Sequence, residues 1–106
     1  MKKGVFFINT ARGGVVNTTD LIEALNNNIV AAAGLDVYEN EKPIFFSNHS
    51  NNPISDELFL QLRACPNVLI TGHQSFLTNE ALSGIANTTI VNLDAWHKGE
   101  AAKNEL

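Results

Sequence analysis

Four side chains suited to proton transfer or anion binding sit at the ends of three short apolar runs. Arg12 follows Val5-Phe6-Phe7-Ile8-Asn9, Asp36 lies at the end of the run Ile29 to Val37 with Glu41 just beyond it, and His73 follows Val68-Leu69-Ile70-Thr71. A guanidinium in a turn of small residues can grip a carboxylate through two parallel N–H donors. Imidazole is the side chain best suited to give and take a proton near neutral pH. A carboxylate close to it would favour the imidazolium and keep that proton available. Glu39 and Glu41 both lie beyond the second run, and residue type and spacing do not choose between them.

Each of these residues also has a plainer use. Arg12 could be a solvated turn arginine, and His73 a capping or packing histidine. His49 falls in a polar loop and His97 near a helix end, where a cation suits the helix dipole. Cys65, beside Pro66 at a helix end, reads as a small buried or half-buried thiol rather than a nucleophile. Trp96, on the last helix face, reads as core or interface.

The elements that must position these groups follow from periodicity. The first apolar run is continuous and bounded by Gly4 and a polar turn, as expected of a strand covered on both faces. Asn17 or Thr18 can cap a helix with Asp20 in its first turn and Leu21, Ile22 and Leu25 as its apolar stripe. That helix should end in Asn26-Asn27-Asn28. Ile29 to Val37 reads as a second buried strand, and Tyr38 to about Pro53 as a long Asn/Ser/Pro-containing loop, a kind often functional. Ser55 or Asp56 opens a short helix containing Leu58, Leu60 and Leu62, which Pro66 stops. Val68 to Thr71 is the third strand.

Thr78 caps a long helix whose Leu82, Ile85, Ala86, Thr89, Leu93 and Trp96 share one face, with Gly99 as its stop. Strands alternating with helices predict an α/β fold with a parallel sheet and right-handed crossovers. In such sheets ligands bind beyond the carboxyl ends of the strands. Arg12, Asp36, Glu41 and His73 would then share one crevice.

Composition narrows the classes. The chain has 106 residues, 44% hydrophobic and 17% charged, with a formal net charge of −4. That allows a single modest core. The seven basic residues are scattered and Lys2-Lys3 is the only basic pair, so no nucleic-acid footprint is present. No apolar run approaches the roughly 20 residues that cross a bilayer, and no signal-peptide pattern opens the chain. One cysteine excludes an internal disulfide or a multi-cysteine metal site, and no metal is expected. A soluble, cytoplasmic protein with no membrane or nucleic-acid partner is expected.

Three segments resemble one family. Asn9-Thr10-Ala11-Arg12-Gly13-Gly14 is similar to the N-x-[AS]-R-G signature of D-2-hydroxyacid dehydrogenases. Asp36-Val37-Tyr38-Glu39-Asn40-Glu41 is similar to their D-V-[YF]-x-x-E segment, and Asn67-Val68-Leu69-Ile70-Thr71-Gly72-His73 to their N-V-x-x-T-[PG]-H segment. The insertion with Ile44-Phe45-Phe46 and the run Thr71 to Thr78 resemble the branch that interconverts pyruvate and D-lactate. The resemblance continues through the last helix to Glu100–Leu106.

The resemblance implies half of a doubly wound, Rossmann-type NAD-binding domain over residues 1–86. Residues 87–106 would be a helix and tail returning toward a catalytic domain. It implies Arg12 on the substrate carboxylate and carbonyl, His73 as proton donor and Glu41 as that histidine's partner. Thr10, Ala11, Arg12, Asp36 and His73 would border the cofactor NAD. The G-x-G-x-x-G turn that seats a dinucleotide pyrophosphate does not occur in the sequence. The resemblance thus implies a fragment whose upstream part is missing, with little or no activity alone. An open sheet edge and face would favour self-association or pairing with that part. Two other readings stand beside this one: a dehydrogenase of the glycerate or phosphoglycerate type, and a non-catalytic assembly module.

Overall fold

A computed structural model describes residues 1–101. The chain divides into two compact units, Met1–Ser75 and Phe76–Leu106. In the first, three strands form a parallel sheet in the order β1 (Val5–Asn9), β2 (Val30–Leu35), β3 (Val68–Ile70). Between β1 and β2 runs α1 (Thr18–Asn26), preceded by a 3-10 turn at Gly13–Val15. Between β2 and β3 run α2 (Lys42–Phe45) and α3 (Glu57–Ala64). The expected α/β alternation and its parallel pairing are present.

The helix ends follow local chemistry. The Asn17 side chain accepts the Asp20 N–H at 3.2 Å and so caps α1, and Asp56 caps α3 through the Phe59 N–H at 2.9 Å. Helix α1 buries Leu21 and Leu25, and α3 buries Phe59 and Leu62. These join Val30, Ala33, Leu35, Tyr38 and Ile44 in one core. Because α1 and α3 touch each other, they cover the same side of the sheet.

The other side differs from the expectation of strands covered on both faces. Phe6, Ile8 and Leu69 are 74%, 68% and 69% exposed. Alternation puts them opposite Val5, Phe7, Val68 and Ile70, which pack on the core. The apolar runs are written for two covered faces, and this unit covers one.

The stretch from Tyr38 to Pro53 is not wholly irregular, as its composition suggests. Its missed helix, α2, has Pro43 in its first turn and buries Ile44. Four residues are too few to show a period, so tertiary contacts decide it. Phe45 meets the Phe59 ring edge-on at 5.9 Å. The long connection is tied at both ends, since the Tyr38 hydroxyl and the Asn40 amide each donate to Asp56 at 3.0 Å.

The second unit holds α4 (Asn79–Lys98), capped by Thr78 and closed by Gly99 at φ 69°, in the left-handed region glycine tolerates. The expected stripe residues Leu82, Ile85, Leu93 and Trp96 are exposed. Of the expected tail, residues 102–106 lie outside the described residues. No helix among the described residues is long and apolar enough to cross a membrane.

Candidate active site

The three strands end side by side. Asn9 pairs with Leu35, and Leu35 with Ile70, so each next residue enters one shared edge. The ladder continues beyond them: Asp36 N–H donates to the Asn9 carbonyl at 2.9 Å, Thr71 N–H to Leu35 at 2.9 Å, and His73 N–H to Asp36 at 2.7 Å. Register alone therefore gathers the turns carrying Arg12, Glu41 and His73.

His73 Nδ1 lies 2.8 Å from Glu41 Oε1. An ionised carboxylate only accepts, so Nδ1 carries the proton in that bond and Nε2 takes no part in it. The side chains are 31% and 20% exposed, so the pair is neither sealed in the core nor freely solvated. The other Glu41 oxygen accepts the Tyr38 N–H at 3.2 Å. Burial pushes the Glu41 carboxyl up, but the Tyr38 bond, the His73 bond and charge, and the nearby Arg12 guanidinium outweigh it and hold it below the usual range. Glu41 meets the histidine; Glu39 is exposed.

Arg12 is exposed, and one of its guanidinium nitrogens donates to the Ala11 carbonyl at 2.8 Å. With Gly13, Tyr38, Glu41 and Lys42 it borders a cavity of about 250 Å³. The turn can approach so closely because residue 13 has no side chain: a Cβ there would fall 2.1 Å from the Tyr38 carbonyl carbon. Thr10 and Ala11, immediately before Arg12, are exposed.

Asp36, expected beside the cofactor, is 3% exposed and holds the histidine turn. Its carboxylate accepts from the Thr71 hydroxyl, the Gln74 N–H at 3.0 Å and the Ser75 N–H at 2.9 Å. Burial raises this carboxyl, yet those donors together keep it well below the ordinary value of 3.8. The turn needs such holding because His73 sits at φ 52°, a left-handed conformation costly for a residue with a Cβ.

Sequence reading missed Asn9, Thr71 and Phe46. The tilted Phe46 ring lies 6.3 Å from the imidazole. Asn9 was legible as an Asx-turn former between an apolar strand and a small-residue turn. Nothing local marks Thr71 or Phe46, whose partners are remote in sequence.

Comparison with known proteins places the chain in a family. Residues 1–75 match the family model described as D-isomer specific 2-hydroxyacid dehydrogenase, NAD binding domain. The whole chain is 51% identical to part of D-lactate dehydrogenase of Escherichia coli. It superposes with TM-score 0.91 and 35% identity on a D-lactate dehydrogenase from Sporolactobacillus, covering 100% of this chain and 32% of that one. It also superposes, with TM-score 0.89 and 31% identity, on the NAD-complexed D-isomer specific 2-hydroxyacid dehydrogenase of Lactobacillus delbrueckii ssp. bulgaricus, with the same coverage. The chain spans about a third of the length of the curated relatives it matches, 32% for the Escherichia coli enzyme.

Proposed function

Because the chain belongs to the D-isomer specific 2-hydroxyacid dehydrogenase family, through its NAD-binding domain, we propose that it is the C-terminal part of a cytoplasmic enzyme interconverting pyruvate and D-lactate. The observation that carries this reading is the His73–Glu41 pair at 2.8 Å beside the Arg12 turn, at the ends of three registered strands. Residues 1–86 would form the second half of the NAD-binding domain, and 87–106 would lead back to a catalytic domain supplied by the upstream chain. The exposed Phe6, Ile8 and Leu69 give an upstream half, or a second copy, an apolar face to cover.

The residues present fit the nicotinamide end of NAD and not its pyrophosphate. Thr10 and Ala11 are small and exposed, leaving room for a flat ring, with Arg12, Asp36 and His73 bordering the same edge. No glycine fingerprint is present to seat phosphates. When bound, NADH supplies the hydride that reaches the substrate's carbonyl carbon.

The chain's own residues do the rest. One Arg12 donor is taken by Ala11, and the remaining N–H groups are free to grip the carboxylate and polarise the adjacent carbonyl. As the carbonyl C=O π bond opens, negative charge gathers on its oxygen, where the guanidinium stabilises it. His73 Nε2 then gives its proton to that oxygen, forming the hydroxyl. Glu41 keeps Nδ1 protonated and the ring oriented throughout.

The test is a chimera in which these 106 residues replace the last third of the Escherichia coli relative. Pyruvate-dependent loss of NADH absorbance is expected, and His73→Ala should abolish it. Hydroxypyruvate, run in parallel, tests the glycerate-type alternative. A folded chimera that binds NADH but reduces neither acid would refute the reading and favour an assembly module.

A further inference from the structure

Resting on that reading, we infer that Asn9 is the positioning residue that aims Arg12 at the substrate. Its side chain brackets the dipeptide before the 3-10 turn from both ends. Asn9 Oδ1 accepts the Ala11 N–H at 3.1 Å, and Asn9 Nδ2 donates to the Arg12 carbonyl at 2.9 Å. The peptide groups on either side of the Ala11-Arg12 dipeptide are thereby held by one planar amide. A carboxylate in its place could accept but not donate, and a methyl could do neither.

The amide is itself immobile. Asn9 is 6% exposed, is the last residue of β1, and is paired with Leu35. Its own carbonyl accepts the Asp36 N–H at 2.9 Å. The bracket is thus anchored to the strand that also leads to Asp36 and the histidine turn. Without it, the Arg12 turn would depend on the Val15 N–H, whose bond to the Arg12 carbonyl is 3.4 Å long. Without Asn9 the Ala11 N–H loses its side-chain acceptor, and the Arg12 carbonyl keeps only that long bond.

The consequence is a division of labour. Asn9 holds the group that grips the carboxylate, while Asp36 holds the group that gives the proton. Losing the first should damage substrate capture without moving the proton-transfer pH dependence. Losing the second should not show that pattern.

In the active chimera, Asn9→Asp and Asn9→Ser should raise KM for pyruvate about ten-fold or more, because small misplacement of an orienting group is kinetically expensive. The pH profile of kcat and the affinity for NADH should stay within about twofold. Asn9→Asp keeps the acceptor and loses the donor, so an effect as large as that of Asn9→Ser assigns the bracket to the Arg12 carbonyl. An unchanged KM, or a loss of NADH affinity equal to the rise in KM, would overturn the inference. If both variants fail to fold, amide hydrogen exchange on the unsubstituted 106-residue chain decides. The Ala11 N–H should exchange much more slowly than the N–H of Gly14, and equal rates would overturn the bracket. An inactive unsubstituted chimera would sink the functional reading alone, since the exchange measurement needs no turnover.

Discussion

Replacing Gly13 with alanine tests whether the Arg12 turn and the Glu41 segment must touch. A Cβ at residue 13 would lie 2.1 Å from the carbonyl carbon of Tyr38, 2.2 Å from its oxygen and 2.4 Å from the Glu39 nitrogen, whereas ordinary contact begins at 3.4 Å. All three are backbone atoms of a segment pinned by the buried Tyr38 ring, so no rotamer change relieves the clash. The two segments must part by about 1 Å. Overpacking of this kind costs about 1–3 kcal/mol, and the rigid neighbours put Gly13→Ala near the upper end. At about 4–8 °C per kcal/mol for a domain of this size, Tm should fall by about 10 °C or more.

Gly14→Ala is the control, since a Cβ there meets nothing within 4 Å. It should change stability by no more than about 0.5 kcal/mol. The assay is thermal unfolding of the two variants and the unsubstituted chain by circular dichroism. In the chimera, separating Arg12 from Glu41 by about 1 Å should also cost about a hundred-fold in kcat/KM for Gly13→Ala alone. A Gly13→Ala Tm within about 2 °C of both other proteins would show that the two segments do not approach as described.

Two further outcomes follow from the histidine turn. Asp36→Asn leaves the Ser75 N–H facing an amide that cannot accept from its nitrogen, and should cost about 2–3 kcal/mol at pH 7 by urea unfolding. Because the folded carboxyl is held below 3.8, its contribution is complete above that pH and is lost as pH falls through the lower folded value. The gap between parent and variant should therefore narrow by about 1 kcal/mol at pH 3, and a gap that widens would contradict the assignment. At position 73, where φ is 52°, His73→Gly should be more stable than His73→Ala by about 1 kcal/mol, because only glycine adopts that backbone without strain. Equal stabilities would mean the turn relaxes.

The sequence by itself determined the strands, their order and most helix limits. Asn17, Asp56, Thr78, Pro66 and Gly99 write their starts and stops into local chemistry, and each works within a few residues of itself. It also marked Arg12, Asp36, Glu41 and His73 as groups at strand ends. It could not choose Glu41 over Glu39 from spacing, because that choice depends on how the chain turns after β2. Tertiary structure decided it through register: Asn9, Leu35 and Ile70 lie abreast, and the Tyr38 N–H turns Glu41 back onto the imidazole. Tertiary structure also gave α2 its existence, Asp36 its place inside the histidine turn and Gly13 its contact with Tyr38. For α2, Asp36 and Gly13 the deciding partner is more than fifteen residues away along the chain or in another element. Local propensity records what a segment favours alone, while these contacts exist only once the sheet has aligned the three strand ends.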